Sequence, residues 1–286
     1  MFFGNAYSSA DLAEEFHRIG IRRGDSVVLH SSLKSVGRTE HGAATVVDAL
    51  LRAIGPNANL MVPTYTYSLV IWNTEPYEHY AARSRVGAIT EEVRAYPHAI
   101  RSFHPTHSVS VIGPDARELT ANHLHHTPIG YGSPLDRMRQ LGAKVLMLGT
   151  SQDTNSSLHL AEVMTGLPYV SVGFQDEAEY ETGWFYNEHR QIEYVQLHEF
   201  PGCSRGFRNI EYQLREQGVL QDVKVGNASS QLLDLQWLCK AAEAILQRDP
   251  TLLLCDVPNC AICPRRRAYM HKAMAIDEHQ ARRTSA

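Results

Sequence analysis

Apolar positions recur with helical spacing in some segments of the chain and with strand spacing in others. Residues 8–19 carry apolar side chains three and four positions apart behind a Ser-Ser-Ala-Asp start, whereas 26–30 is a short β-branched run typical of a buried strand. The same reasoning predicts helices at 41–54, 87–96, 133–141, 209–217 and 229–247, and strands at 59–63, 107–112 and 144–149. Residues 180–199 alternate as an antiparallel hairpin does.

Strands separated by helices predict the fold class. The order is typical of an α/β protein, here three-layer α/β/α with a mostly parallel central sheet and an antiparallel hairpin portion. Ligands bind beyond the carboxyl ends of the strands in such sheets. Long aromatic-rich stretches at 64–84 and 171–200 are expected to shape a pocket there. We expect 1–250 to form a single domain and 251–286 a cysteine-containing tail, packed on the domain or partly flexible.

Composition narrows the function classes. The chain has 27 Lys and Arg residues against 31 Asp and Glu residues, and the basic residues form no stripe. The sequence therefore gives no indication of the basic surface that binds nucleic acids. The apolar runs are far shorter than the roughly 20 residues of a membrane helix, and residues 1–5 lack the basic start of a signal peptide. We therefore expect a cytoplasmic protein with neither membrane nor nucleic-acid partners. The odd count of 5 cysteines indicates reduced thiols or a metal site rather than a disulfide framework.

Three segments next to predicted strands are candidates for chemistry. The first, 30–37, follows a strand and enters a helix, where backbone N–H groups and small hydroxyl side chains suit a pyrophosphate, although an ordinary serine-capped loop would look the same. The second, 101–108, has His104 and His107 around a Pro-Thr pair. Proline restricts the backbone around His104 and can fix the direction of a histidine that acts as base, acid or ligand. The simpler alternative is that both histidines lie in a surface turn.

The third segment follows the strand at 144–149. His159 and Glu162 stand three positions apart, on one face of a predicted helix, so that the carboxyl group can orient the imidazole. Asp153, near the start of that helix, can serve as a cap or a second polar partner. A plain surface ion pair has the same spacing.

In this order and at these intervals, the segments resemble the aminoglycoside 3-N-acetyltransferase family of acetyl-coenzyme A-dependent enzymes. The resemblance rests on 24–33, 101–108, 132–135, 144–149 and 155–162, and extends loosely over most of the chain. It implies direct transfer of an acetyl group in a ternary complex, with no acyl-enzyme. The implied partners are acetyl-coenzyme A and a small-molecule amine; a hydroxyl acceptor and a homodimer remain open.

The resemblance also implies roles for residues of this sequence. His159 would be the general base, and His30 or nearby backbone N–H groups would stabilise the oxyanion. Glu162 and Asp153 would orient the base or bind substrate. The cofactor-binding residues that it implies are Ser31, Ser32, Leu33, Lys34, Ser35, Val36, Gly37, Arg101, Ser102 and His104. One position departs: the family's resistance enzymes have a glutamate in their Gly-x-Gly-Ser-Pro segment where this chain has Tyr131, which weakens the expectation of a polycationic aminoglycoside acceptor.

The cysteines near the carboxyl end have the spacing of a thiolate metal site. Cys255, Cys260 and Cys263 form a Cys-x4-Cys-x2-Cys pattern, and Cys203, in an irregular Pro-Gly-Cys-Ser loop, can supply a fourth ligand for zinc. Cys239 falls inside a predicted helix and is expected in the core. Free thiols in a mobile tail are the alternative.

Two rival functions remain. A metal-dependent hydrolase would gather His30, His104, His107, His159 and Glu162 around one ion, although no His-Glu-x-x-His signature is present. A non-catalytic coenzyme A-binding protein would share the loop at 30–37. Release of the coenzyme A thiol in the presence of amines distinguishes the transferase from both.

Overall fold

The computed structural model describes residues 6–72, 74–175 and 180–284, with side chains through residue 276. The helices are α1 (Ser9–Arg18), α2 (Leu33–Val36), α3 (Ala43–Ile54), α4 (Ala88–Ala95), α5 (Ala116–Thr120), α6 (Pro134–Gln140), α7 (Ser157–Met164), α8 (Glu211–Glu216), α9 (Leu235–Leu246) and α10 (Cys263–Thr284). The strands are β1 (Val27–Ser31), β2 (Leu60–Pro63), β3 (Ile100–Arg101), β4 (Val109–Ile112), β5 (Lys144–Leu148), β6 (Glu181–Tyr186), β7 (Ile192–Leu197), β8 (Leu220–Val225) and β9 (Ala228–Asp234). Residues 1–5, on which the signal-peptide expectation depends, lie outside the described residues.

Seven of these strands form one mixed sheet in the order β3-β4-β2-β1-β5-β9-β8. The central strand β1 pairs in parallel with both β2 and β5. The outer strands β4, β3, β9 and β8 all join antiparallel. The predicted α/β class is therefore confirmed, with the parallel pairing confined to the three central strands. The predicted hairpin is also confirmed, as a separate sheet of β6 and β7.

Helices cover both faces of the sheet because its strands are apolar on both sides. Side chains alternate across a strand, so Val27 and Leu29 of β1 lie in one core and Val28 lies in the other. Helices α1, α3 and α4 pack in the first core, and α5 to α9 contribute to the second. This arrangement confirms the three layers.

The prediction of one long helix at 229–247 is wrong. Its first part is β9, which pairs with both β5 and β8, and the helix α9 begins only after Asp234 caps it by accepting a hydrogen bond from the Trp237 backbone N–H. Leu232 and Leu233 are adjacent, yet each is buried in a different core, as expected for a strand covered on both faces. Strand β8 was not predicted, although Gly226-Asn227 between β8 and β9 is a two-residue turn typical of a hairpin.

The two long predicted loops lie against each other. Within 64–84 the structure has a 3₁₀ turn at Val70–Trp72 and single bridges from Leu69 to Gly183 and from Tyr77 to Phe185 of the hairpin. The tail turns back onto the body: Leu253, Leu254 and Ile262 are buried in the core that contains α7 and α9. Among the described helices, none combines the length and the apolar character needed to cross a membrane. The boundary at residue 250 stays a prediction.

Candidate active site

A cavity of about 340 Å³ lies where the three parallel strands end. β1 contributes His30 and Ser31 to its lining, β2 contributes Pro63, and Thr150 follows β5. The carboxyl ends of parallel strands meet at one edge of a sheet, which is where the sequence predicted a site. The cavity thus joins the first and third candidate segments.

The turn after β5 brings the third segment to this cavity. Gly149 has a left-handed φ of +67°, and a Cβ there would lie 2.4 Å from the Cβ of Ser35, so glycine lets the two loops touch. After a 3₁₀ turn at Gln152–Thr154, the Asn155 side chain accepts a hydrogen bond of 3.0 Å from the Ser157 backbone N–H at the start of α7. Asn155 is fully buried. This fixes the direction in which α7 leaves the sheet.

Helix α7 presents His159 to the cavity with its partner already in place. The His159 Nδ1 atom lies 2.6 Å from the Glu162 carboxyl, and the Tyr169 hydroxyl donates a 2.8 Å hydrogen bond to the other carboxyl oxygen. The Phe207 ring meets the imidazole edge-on, with 4.6 Å between centroids. Glu162 is 2% exposed and Tyr169 is 0% exposed, so this is not the surface ion pair that the bare spacing allowed. Burial, and then the charge of Glu162, raises the pKa of Tyr169 and keeps its hydroxyl protonated as a donor.

Three buried polar atoms of residues that line the cavity have no hydrogen-bond partner. They are His30 Nε2, Ser31 Oγ and Thr150 Oγ1. A buried polar group without a partner costs roughly 1–3 kcal/mol, so such groups are rare outside sites that a ligand completes. Their convergence beside His159 marks the polar end of a binding site.

Two histidines of the cavity are neutral at pH 7. Burial lowers the pKa of His30 from 6.5 to about 4. Burial, followed by the charges of His159 and His123, lowers the pKa of His107 well below its ordinary value. A neutral imidazole can donate one hydrogen bond without bringing a positive charge to the site.

The opposite wall of the cavity is aromatic. It is formed by Tyr65, Tyr67, Trp72, Phe174 and Phe200, from the two long predicted loops and their flanks. The rings contact one another edge-on; those of Trp72 and Phe174 lie 5.5 Å apart. The other aromatic side chains predicted for this pocket do not line it, since Tyr77 is buried in the core and Tyr80 is 88% exposed.

A second, open cavity of about 680 Å³ shares Ser31 with the first. It is lined by Ser32, Leu33, Lys34 and Gly37 of the predicted cofactor loop, and by Arg38. Lys34 and Arg38 are exposed there and offer two positive charges. The predicted loop therefore runs from the buried cavity beside His159 to a surface with two positive charges.

Sequence and structure comparisons agree with this geometry. The family model described as aminoglycoside 3-N-acetyltransferase matches residues 28–247. The chain belongs to the aminoglycoside 3-N-acetyltransferase family. It is accordingly an acyltransferase.

Relatives in the family have moderate sequence identity to this chain. Aminoglycoside N(3)-acetyltransferase IV of Salmonella sp. is 27% identical over 256 residues, which cover 87% of this chain and 90% of that protein. Aminoglycoside N(3)-acetyltransferase III of Serratia marcescens is 34% identical over 179 residues, covering 55% of this chain and 64% of that protein. The second alignment therefore spans slightly less than two thirds of the relative.

Solved structures in the family superpose closely on this one. A histidine-to-alanine variant of aminoglycoside acetyltransferase AAC(3)-IVa, in complex with a gentamicin, has a TM-score of 0.81 at 25% identity, covering 94% of this chain and 99% of that one. AAC-IIIb, in a binary complex with CoASH, has a TM-score of 0.75 at 25% identity, covering 86% and 98%. The acetyltransferase fold therefore extends over nearly the whole chain.

Three residues with predicted cofactor roles lie elsewhere in the acetyltransferase fold, and none lines the two cavities described. Arg101 donates hydrogen bonds to backbone carbonyls, including that of Thr64 at 2.8 Å, and Ser102 bonds the His123 ring at 2.8 Å. His104 is fully buried and its Nδ1 accepts from the His107 backbone N–H at 3.0 Å. Their predicted role in cofactor binding stays a prediction; in the structure these side chains form an internal hydrogen-bond network. Ser35 and Val36 of the loop likewise face inward, since Ser35 bonds the Gly149 carbonyl and Val36 is fully buried.

Two further predicted positions have distinct surroundings. Asp153 lines the main cavity, hydrogen-bonds Ser151 and lies 3.7 Å from the Arg208 guanidinium. Tyr131 is 56% exposed and does not line the cavity.

Among the described residues, one group of cysteine, histidine and acidic side chains can hold a metal ion. It consists of Cys203, Cys255, Cys260 and Cys263, whose Sγ atoms all lie within 4.8 Å of one another. The histidines of the hydrolase alternative form no such group with Glu162 in this part of the chain. Cys239 is buried in α9, as predicted for a core residue.

Sequence reasoning missed Tyr169 and Thr150, and left His107 without a role in the transferase. Thr150 comes two positions after the last residue of β5, so the strand-end rule could have found it. Tyr169 reaches Glu162 only because a turn at Pro168–Ser171 follows α7, and no sequence signal indicates that contact.

Proposed function

We propose that the protein transfers the acetyl group of acetyl-coenzyme A directly to an amine of a small molecule, either an aminoglycoside or another secondary-metabolite amine. The observation that carries this proposal is the set of unpartnered polar atoms on His30, Ser31 and Thr150 in the cavity that His159, the partner of Glu162, also lines. The relatives named above are aminoglycoside acetyltransferases, and one neighbouring structure contains CoASH.

The cofactor lies along the loop at 31–37 in this proposal. The thioester end enters the main cavity past Ser31, and the phosphates lie at the open cavity, where Lys34 and Arg38 supply positive charge. Ser32, Leu33 and Gly37 line the path between them. Ser35 and Val36 shape the loop from inside rather than touching the cofactor.

The transfer step uses His159 as the general base. Because Glu162 holds Nδ1 as the protonated nitrogen, Nε2 accepts the proton of the acceptor amine while the amine nitrogen attacks the thioester carbonyl. The new C–N bond places negative charge on the carbonyl oxygen, which the N–H of neutral His30 stabilises. The C–S bond then breaks, and the coenzyme A thiolate takes the proton from His159.

The acceptor occupies the aromatic side of the cavity. Trp72, Phe174 and Phe200 offer apolar faces, which suit the carbon face of a sugar ring. Asp153 offers the carboxylate for an ammonium group of the same acceptor. Asp153 is the one acidic side chain among the described residues that line the cavity.

Turnover with a panel of acceptors tests the proposed function. We expect release of the coenzyme A thiol together with N-acetylated product for at least one amine, measured by thiol titration and mass spectrometry. Coenzyme A binding without turnover on any acceptor would support the non-catalytic alternative. Thiol release without acceptor would support hydrolysis, and product acetylated only on oxygen would overturn the amine assignment.

We also propose that the four clustered thiols bind a structural zinc ion. Four thiolates at the corners of a small site are a common zinc ligand set, and the ligands come from an irregular loop, the Cys-x4-Cys-x2-Cys turn and the start of α10. All five cysteines are free, which also fits the predicted cytoplasmic location.

One zinc ion per chain is the expected result of metal analysis on the purified protein. Cys260→Ser should lower that stoichiometry and the melting temperature, because a structural site contributes folding free energy. Cys239→Ser is the control, since Cys239 lies outside the cluster. Less than a few tenths of an equivalent of zinc, with five titratable thiols, would contradict the proposal.

A further inference from the structure

We infer that Arg266 is a positioning residue: it connects the C-terminal segment to the His159–Glu162 pair and lets the metal site hold that pair in its working geometry. The inference rests on the proposed acetyl transfer and assigns part of its machinery to a segment of which no described residue lines the cavity. A continuous series of contacts runs from the cysteine cluster to the catalytic histidine.

Arg266 is a buried cation on α10. Its side chain is 2% exposed. The guanidinium donates hydrogen bonds to the Phe200 carbonyl at 2.8 Å and to the Val172 carbonyl at 3.2 and 3.1 Å. Both carbonyls belong to the segments that carry the aromatic cavity wall. Arg266 therefore holds that wall from behind.

The same guanidinium stacks on the residue that supports the catalytic carboxyl group. Its central carbon lies 5.7 Å from the centroid of the Tyr169 ring, as in a cation–π contact. The Tyr169 hydroxyl donates to Glu162, which in turn binds His159 Nδ1. The ring contact fixes the plane of the tyrosine, and a nearby cation makes its O–H a better donor. The series Arg266–Tyr169–Glu162–His159 thus ends at the proposed base.

The cysteine cluster joins the two segments that Arg266 bridges. Cys263 is the first residue of α10, three positions before Arg266, and Cys203 lies three positions after Phe200. A metal ion bound by both cysteines would fix the distance between helix and wall. Because Arg266 contacts both the wall and the Tyr169 ring, it would then hold that ring in a fixed position.

Two glycines show how closely the wall segment is packed against the tail. A Cβ on Gly202 would lie 2.6 Å from an Arg266 nitrogen, and one on Gly206 would lie 2.5 Å from the Leu253 carbonyl oxygen and 2.8 Å from the Cys255 nitrogen. On its other side the segment contacts the active site, because Ser204 hydrogen-bonds the Asp153 carbonyl and Phe207 packs on His159. Movement of the tail would therefore displace the residues that contact His159.

Kinetics of Arg266 variants of the full-length metal-bound enzyme test the inference. Arg266→Met should lower kcat about 10- to 100-fold, the usual consequence of a misplaced catalytic group, with the KM for acetyl-coenzyme A changed less than about threefold. Arg266→Lys should recover part of kcat because it restores the cation but not the planar fork. The control is Arg137→Met: Arg137 also donates to backbone carbonyls, those of Glu118 and Ala121, but these belong to α5 and its end and not to the cavity wall.

A double-mutant cycle separates positioning from general support. If Arg266 acts through His159, Arg266→Met should cost less than about twofold in the His159→Ala background, since the two effects are then not additive. Full additivity, or an unchanged kcat in Arg266→Met, would overturn the inference while leaving the proposed function intact. Absence of His159-dependent turnover in the wild type would instead refute the proposed function.

Hydrogen exchange supplies a readout that does not depend on activity. Removing the metal with a chelator should speed amide exchange in 200–206 and at the end of α7, and leave the central strands β1 and β5 protected. Unchanged exchange in 200–206 after complete metal removal would contradict the coupling. Global unfolding on chelation would contradict the confinement of the metal's effect to this region.

Discussion

Replacing His159 with alanine is expected to lower kcat by about 10²- to 10⁴-fold, the usual contribution of a general base. The loss should fall on kcat and not on binding of acetyl-coenzyme A, because the proposed cofactor path runs along the loop at 31–37. Steady-state kinetics and calorimetric titration with coenzyme A measure the two quantities separately. Glu162→Gln should give a smaller loss, since the amide still contacts Nδ1 but no longer stabilises an imidazolium.

The control for this prediction is His41→Ala, because His41 is an exposed histidine. It should retain wild-type kcat and coenzyme A affinity. A His159→Ala enzyme with kcat within about threefold of wild type would remove the histidine from the mechanism. Loss of coenzyme A binding in that variant would indicate a role in the cofactor site instead.

Acid is expected to destabilise the protein steeply between pH 6.5 and about pH 4. Four fully buried histidines have a depressed pKa, caused in each case first by burial: His30 and His123, both at about 4, and His104 and His107, both well below 6.5. In this window the unfolded chain binds protons that the folded protein excludes. The contribution of these histidines to the free energy of unfolding is therefore complete above pH 6.5 and decreases as the pH falls. Each such histidine contributes a slope of about 1.4 kcal/mol per pH unit.

Two carboxyl groups oppose this trend. Burial raises the pKa of Glu181 and Glu199, so in their window the folded state binds protons more readily than the unfolded state. Burial also lowers the pKa of the partly buried His79 to about 4, so five histidines against two carboxyls leave a net loss of stability on acidification. Urea unfolding at several pH values measures it. His30→Gln should make the slope shallower by about 1.4 kcal/mol per pH unit, whereas His41→Gln should not; equal slopes in all three proteins would contradict the burial argument.

Much of the fold follows from local sequence pattern. The helix at 8–19 and the strands at 26–30 and 144–149 were predictable because caps, glycines and β-branched runs act over a few residues. The antiparallel outer strands were not, since the neighbours of a strand depend on how distant segments pack. The error at 229–247 has the same origin: β9 is covered on both faces, so its adjacent leucines show neither period clearly.

The residues of the site also differ in whether sequence pattern could predict them. His159, Glu162, Ser31 and the loop at 31–37 were predictable because strand ends of an α/β sheet converge on one edge. The ligand-binding role of the segment at 101–108 stays a prediction, since sequence does not show whether a polar side chain faces a cavity or a neighbouring carbonyl. Tyr169 reaches Glu162 through the turn that follows α7, and Arg266 contacts the Tyr169 ring only because the tail folds back onto the body.

Direct acetyl transfer is tested most directly by following the coenzyme A thiol and the mass of the protein together, with and without an amine acceptor. The account predicts thiol release only when an amine is present, one acetylated acceptor per thiol, and an unmodified protein at every time point. Thiol release from acetyl-coenzyme A alone, or a protein carrying an acetyl group that is passed on when the amine is added, would contradict it.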